Sequence, residues 1–147
     1  MAQFLRPDDD FANPGSWQDD GGGAVDIFEA IDEEIVADGD YVRSPLTPSS
    51  DVYVAGLSSG EDPALSTGHE LRVRYAKSAS GGAQIDITAE LREGYVNEGS
   101  QGTLIKQRVY SDVSDSFTTD DYTLSAGEAD SITDYTDLFL RLVANQT

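Results

Sequence analysis

The chain has 147 residues and no cysteine, so a single domain can bury its own core, and disulfides and thiolate metal sites are excluded. Nine Lys and Arg stand against 28 Asp and Glu, a formal net charge of −19, where small soluble domains carry a magnitude of roughly 2–8. Such a surface repels polyphosphate and anionic lipid, which argues against nucleic-acid and membrane partners, and no apolar run reaches membrane-spanning length. The opening MAQFLRPDDD lacks the basic-then-apolar order of a signal peptide, so a soluble, non-secretory protein is expected. The acidity suits mutual repulsion between copies, a partner with a basic face, or adaptation to high salt, the last because only Lys77 and Lys106 are lysines.

Residues 1–23 hold Pro7, Pro14, the triplet Asp8-Asp9-Asp10 and the run Asp19-Asp20-Gly-Gly-Gly23, a composition that predicts an extended arm. Phe4, Leu5, Phe11 and Trp17 are its apolar anchors, and residues 24–147 form the body. From Ala24 to Ile35, Ile27, Phe28, Ile31 and Ile35 fall on one helical stripe, which predicts a short helix ended by Asp38-Gly39-Asp40. Period-two alternation follows. Val52 and Val54 oppose Tyr53 and Ala55, and Leu71, Val73 and Tyr75 oppose Arg72, Arg74 and Ala76. Ile85, Ile87, Ala89 and Leu91 interleave with Asp86, Thr88, Glu90 and Arg92, and the turn at Gly81-Gly82 predicts a hairpin between these last two strands. Further strands are expected at about 103–110 and 117–124.

Ser125 followed by Glu128 is a capping-box pattern and starts a helical turn. From Asp137 the period returns to two, with Leu138, Leu140, Leu142 and Ala144 on one face and Phe139, Arg141 and Val143 on the other, a half-buried closing strand. Seven or eight strands separated by Gly, Ser and Asp turns predict an all-β fold, an antiparallel β-sandwich with one or two short helices.

Catalytic chemistry finds little footing. His69 is the only histidine, lacks neighbours at metal-ligand spacing and reads as a hydrogen-bonded turn residue. The pairs Glu61-Asp62, Asp112 with Asp115, Asp120-Asp121 and Asp130 with Asp134 are what 28 acids produce by adjacency, and nothing marks one as buried. The chain has no nucleophile elbow, phosphate loop or zinc-protease helix, so an enzyme is not expected. No cofactor is expected; calcium is the one with ligands to offer it, at Asp8 and Asp10, at Asp19-Asp20 or at Asp38 and Asp40, but no EF-hand pattern is present and solvated loops are the favoured explanation of these acids. Trp17 with Tyr41, Tyr53, Tyr95, Tyr110, Tyr122 and Tyr135 reads as core or interface aromatics, with a sugar-stacking platform as the alternative. Asn145-Gln146-Thr147 matches a glycosylation sequon that the absence of a signal peptide makes accidental.

The order of several short motifs resembles small virion proteins of tailed bacteriophages. They are Leu5-Arg6-Pro7-Asp8 with Trp17, Ala30-Ile31-Asp32-Glu33, Asp62-Pro63, Ser66-Thr67-Gly68-His69, Arg72-Val73-Arg74, and the closing signature from Thr123 to Arg141. The resemblance spans most of the chain. It implies a β-sandwich of jelly-roll type in a structural protein, on head, tail or fibre. On the capsid exterior, a decoration protein would grip the major capsid protein through the arm anchors Phe4, Leu5, Phe11 and Trp17, and symmetric placement suggests self-association, with a homotrimer the natural form. The alternative is a tail or head-fibre module that binds host-surface carbohydrate.

Overall fold

A computed structural model describes residues 2–78 and 83–147. Nine strands are present among the described residues: β1 (Pro7–Ala12), β2 (Gln18–Asp19), β3 (Val42–Arg43), β4 (Asp51–Leu57), β5 (Glu70–Tyr75), β6 (Ile85–Glu93), β7 (Thr103–Tyr110), β8 (Thr118–Thr123) and β9 (Leu138–Gln146). One α-helix, α1 (Ala126–Asp130), and one 3-10 turn (Ile27–Ile31) complete them. The main sheet has the order β1-β4-β9-β6-β7, and β2-β3 and β5-β8 form two-stranded sheets, with every pairing antiparallel. The fold is an all-β sandwich whose strands divide five, two and two. Among the described residues no helix is long and apolar enough to cross a membrane.

The closing strand is the centre of the sheet. β9 pairs with β4 from Asp51↔Ala144 to Gly56↔Phe139, and with β6 from Ile85↔Gln146 to Glu93↔Leu138. Its alternation sorts as the sequence predicts: Leu142 and Ala144 join Tyr53, Ala55 and Ala89 in one core, and Phe139 joins Val52 and Val54 on the other side. Both faces of β9 are therefore covered, more than a half-buried edge would be. Against the inner face pack Val73 and Tyr75 of β5, Trp17, and Ile27 and Ile31 of the 3-10 turn. Tyr75 stacks on Tyr110 with centroids 4.0 Å apart, tying the two layers together. Leu91, Ile105, Leu124, Ala129, Ile132 and Leu138 fill the end of the sandwich beneath α1.

Three sequence expectations are corrected. The hairpin between the strands at 70–75 and 85–93 does not form: β5 pairs with β8, from Glu70↔Thr123 to Tyr75↔Thr118, and β6 pairs with β7 and β9. Cross-strand partners explain the choice, since Arg72 meets Asp121 and Arg74 Nη1 donates to Thr119 Oγ1 at 2.9 Å. The predicted turn at Gly81-Gly82 lies outside the described residues. The helix over 24–35 is reduced to the single turn Ile27–Ile31, and Ile35 is 83% exposed. Asp32-Glu33-Glu34 places three acids where the helix dipole favours cations, the turn has no basic residue of its own, and Arg6 Nη1 donates to the Asp32 carbonyl at 3.1 Å, where the turn stops. Residues 1–23 are not a separate arm, because β1 is the edge strand beside β4 and Trp17 is 4% exposed, with Nε1 donating to the Asp51 carbonyl at 3.2 Å. Gly15 fits this join because a side chain there would collide with the Val52 backbone.

Asp10 locks the N-terminal strand to the core. Its Oδ1 accepts from Tyr53 Oη at 2.7 Å and from Phe28 N at 2.9 Å, and its Oδ2 accepts from Ile27 N at 2.8 Å. Burial, then this carboxylate, push the Tyr53 hydroxyl pKa well up. Asp10→Ala orphans two amides and a phenol and is expected to cost about 2–4 kcal/mol in denaturant unfolding, with Asp8→Ala close to neutral.

At α1 the capping box forms as predicted, with Glu128 N donating to Ser125 Oγ at 3.2 Å and Ser125 N donating to Glu128 Oε2 at 2.8 Å. Lys106 Nζ, 2.8 Å from Glu128 Oε1, is the main cause that lowers the Glu128 pKa from 4.5 to about 2, with the Ser125 amide next. A carboxylate with a depressed folded pKa stabilises the fold above its unfolded pKa and loses that contribution as pH falls through the folded one. The end of the sandwich at α1 is expected to loosen between pH 4.5 and about 2, with Glu128 titrating near the lower limit by NMR.

Candidate interaction surface

The outer face of the main sheet, opposite the sandwich core, carries a second apolar cluster. Alternation sends Val52 and Val54 of β4 and Phe139 and Val143 of β9 to this side, and Ala12 of β1 packs beside them. β1 shifts register between Asp10 and Ala12, and Phe11 falls in that irregularity. Its ring meets Phe139 at 4.8 Å and Tyr95 at 5.7 Å between centroids, edge-on to both. Phe11 nevertheless keeps 42% of its surface exposed, and Val96 and Val109 are exposed as well.

A charge cluster lies on the same face. Glu90 of β6 is only 6% exposed, and its Oε2 accepts from Arg92 Nε at 2.7 Å and from Arg141 Nη1 at 3.1 Å. Arg141 also donates through Nε and Nη2 to the two carboxylate oxygens of Glu98, at 2.9 and 2.6 Å. That fork, followed by burial and the Tyr95 hydroxyl, sets the Glu98 pKa, and the net effect is a carboxyl held below its usual range. Tyr95 donates to Glu98 at 2.7 Å, and burial and this acceptor push its hydroxyl up to about 12. The loop 94–102 between β6 and β7 is thereby fastened over the sheet. Gly102, at φ +68°, closes it where any side chain would strike the Glu93 carbonyl. Two acids and two bases leave this patch neutral on a chain of net charge −19.

The sequence-predicted anchors do not meet in one place. Trp17 is core, stacked on Tyr53 at 6.1 Å, and Phe11 belongs to the outer face. Leu5 packs towards Leu57 and Tyr135 at the α1 end, and Phe4 is exposed beside it in the chain. The calcium candidates also part. Asp10 is held by Tyr53 and two amides, Asp8 is exposed on the edge strand, and Asp38 forks onto Arg74 at 2.5 and 2.6 Å while Asp40 stands exposed nearby in sequence. Arg74 is the main cause that lowers the Asp38 pKa. Among the described residues no group of three or more His, Asp or Glu could hold a metal ion.

Other titratable residues serve local structure. His69 Nε2 lies 2.7 Å from Tyr135 Oη, and Nδ1 has no partner among the described residues. Asp120 and Asp121 turn to opposite sides of β8, one to Arg108 and Tyr110 and the other to Arg72. Asp134 accepts from Thr136, and Asp62 from the Ala64 amide. The Glu90–Arg92–Arg141–Glu98 cluster was not foreseen. Its trace in the sequence is charge in the interior of strands whose flanks are apolar. No protein-family model, no curated protein and no solved structure matches the chain significantly.

Arg141→Met leaves Glu90 buried with one partner and frees the 94–102 loop. The expected loss is about 3 kcal/mol of stability, and adding Glu90→Gln should recover part of it in a double-mutant cycle.

Proposed function

We propose that this chain is a non-enzymatic structural protein of a tailed-phage virion, a decoration protein on the capsid exterior that binds the major capsid protein. The observation that carries this reading is the outer face of the main sheet. There Phe11 stands half-exposed over Phe139 and Tyr95, beside a charge-balanced cluster, on a molecule that is otherwise strongly acidic. Removing apolar area from water favours docking at such a place, and the neutral patch avoids the repulsion that the rest of the surface imposes on a partner. The resemblance of its short motifs to phage virion proteins also motivates this reading; of these motifs, Leu5 to Asp8 leads into the edge strand and the closing segment runs through α1 into β9. A sandwich tied across its layers by stacking and ion pairs also suits a load-bearing role.

The carbohydrate-binding alternative needs aromatic faces open to solvent. Of the seven aromatics that the sequence offers for it, Trp17, Tyr53, Tyr95 and Tyr110 are buried and Tyr41, Tyr122 and Tyr135 are half-buried, which favours the first reading.

Co-sedimentation with undecorated capsids of the encoding phage tests it. The wild-type chain is expected to bind, and Phe11→Ser to bind at least about tenfold more weakly, a difference of ~1.4 kcal/mol, with an unchanged circular-dichroism spectrum. Equal binding by both would remove this face from the mechanism. Absence of wild-type binding, with calcium-dependent signal on a glycan array, would favour the sugar-binding alternative.

A further inference from the structure

The main sheet ends in two edges of opposite character. β1 has three defences against pairing: Pro7 lacks a donor, Asp8-Asp9-Asp10 repels, and the register shifts twice along the strand. β7 has almost none. It runs eight residues, Thr-Leu-Ile-Lys-Gln-Arg-Val-Tyr, without proline or a single acid, in a chain with 28 acids. It pairs with β6 on one side only, and among the described residues no hydrogen bond is made to the other edge of its backbone. Alternate amides and carbonyls on that edge are left for a strand to take up.

The charge on β7 is already balanced within the chain. Lys106 pairs with Glu128 at 2.8 Å and Arg108 with Asp120 at 2.7 Å, both across the inner face. On the outer side Leu104 and Val109 stand exposed, Val109 by 58%. The edge is thus neutral and flanked by apolar side chains, with one bulge at Ile105, on a chain whose net charge is −19.

We propose that β7 is a self-association edge, on which the β7 of a second copy lies antiparallel about a two-fold axis. A second copy is the occupant that this charge distribution fits. Two chains of −19 can approach only where neither presents carboxylates, and β7 is the one edge of the main sheet that meets this condition. Two-fold pairing satisfies both sets of free backbone groups, joins two five-stranded sheets into one, and makes the two outer faces continuous. The solution species is then a dimer rather than the trimer that capsid symmetry suggests. The contact does not depend on the virion role, and it would exist in the isolated protein.

Sedimentation equilibrium of the full chain, at low salt and at about 1 M salt where the Debye length is ~3 Å, tests it directly. The expected result is a dimer of the 15.8 kDa chain that tightens with salt, because screening removes the repulsion between copies. Val109→Glu, at an exposed position, should weaken the dimer at least about tenfold while the circular-dichroism spectrum and unfolding midpoint stay close to wild type. Hydrogen exchange should show concentration-dependent protection of amides within 103–110 in the wild type alone. A wild-type monomer under both salt conditions would overturn the proposal. So would an oligomer that Val109→Glu leaves intact, or one without added protection in β7.

Discussion

The structure depends on the strand at the centre of its main sheet, β9. β9 is hydrogen-bonded on both sides, to β4 along six residue pairs and to β6 along nine, so the two halves of the sheet meet only through it. Before β9 is in place, β1-β4 and β6-β7 are separate two-stranded ribbons, and such ribbons are marginal in water. The same strand supplies both apolar clusters, Leu142 and Ala144 inward and Phe139 outward. Because β4 lies about ninety positions upstream, closing the sheet means closing a long loop, an entropy cost that the contacts of β9 must offset. The capping box at α1 helps by fixing where the chain turns into β9.

Scarce cations impose the second constraint. Arg72, Arg74, Lys77, Arg92, Lys106, Arg108 and Arg141 are seven of the nine basic residues, and each reaches a carboxylate. Exposed pairs such as Arg72 with Asp121 add little by themselves, since solvent screens them. Their value lies in register, because they select β8 as the partner of β5. Buried pairs around Glu90 hold the 94–102 loop and leave the outer face neutral. The excess acid is left to the solvated surface. The two proposed contacts fall where acids are balanced or missing, on the outer sheet face and on the β7 edge.

Where alternation is local, it was legible. The periods of β4, β6 and β9 read correctly because each strand has one face in the sandwich core, and Ser125 with Glu128 named the start of α1. Partnership was not legible. A strand's period carries no record of what lies beside it, so the adjacency of 70–75 and 85–93 suggested a hairpin where β5 in fact crosses to β8. The acids and prolines of residues 1–23 suggested an arm, because the role of Asp10 depends on Tyr53, forty-three positions away. The charge cluster on the outer face was hidden for the same reason, since Glu90, Glu98 and Arg141 converge only once β6 and β9 are side by side. Hydrophobicity alone does not say which face a residue takes, and of Phe4, Leu5, Phe11 and Trp17 only Phe11 belongs to the outer face.

The proposed structural role on the virion is tested most directly by immunogold electron microscopy of purified phage particles with antibody raised against this chain. Dense label over the head is the expected result. Label confined to the tail or its tip would contradict a capsid decoration role and favour host recognition, and intact particles without label would contradict the exterior location.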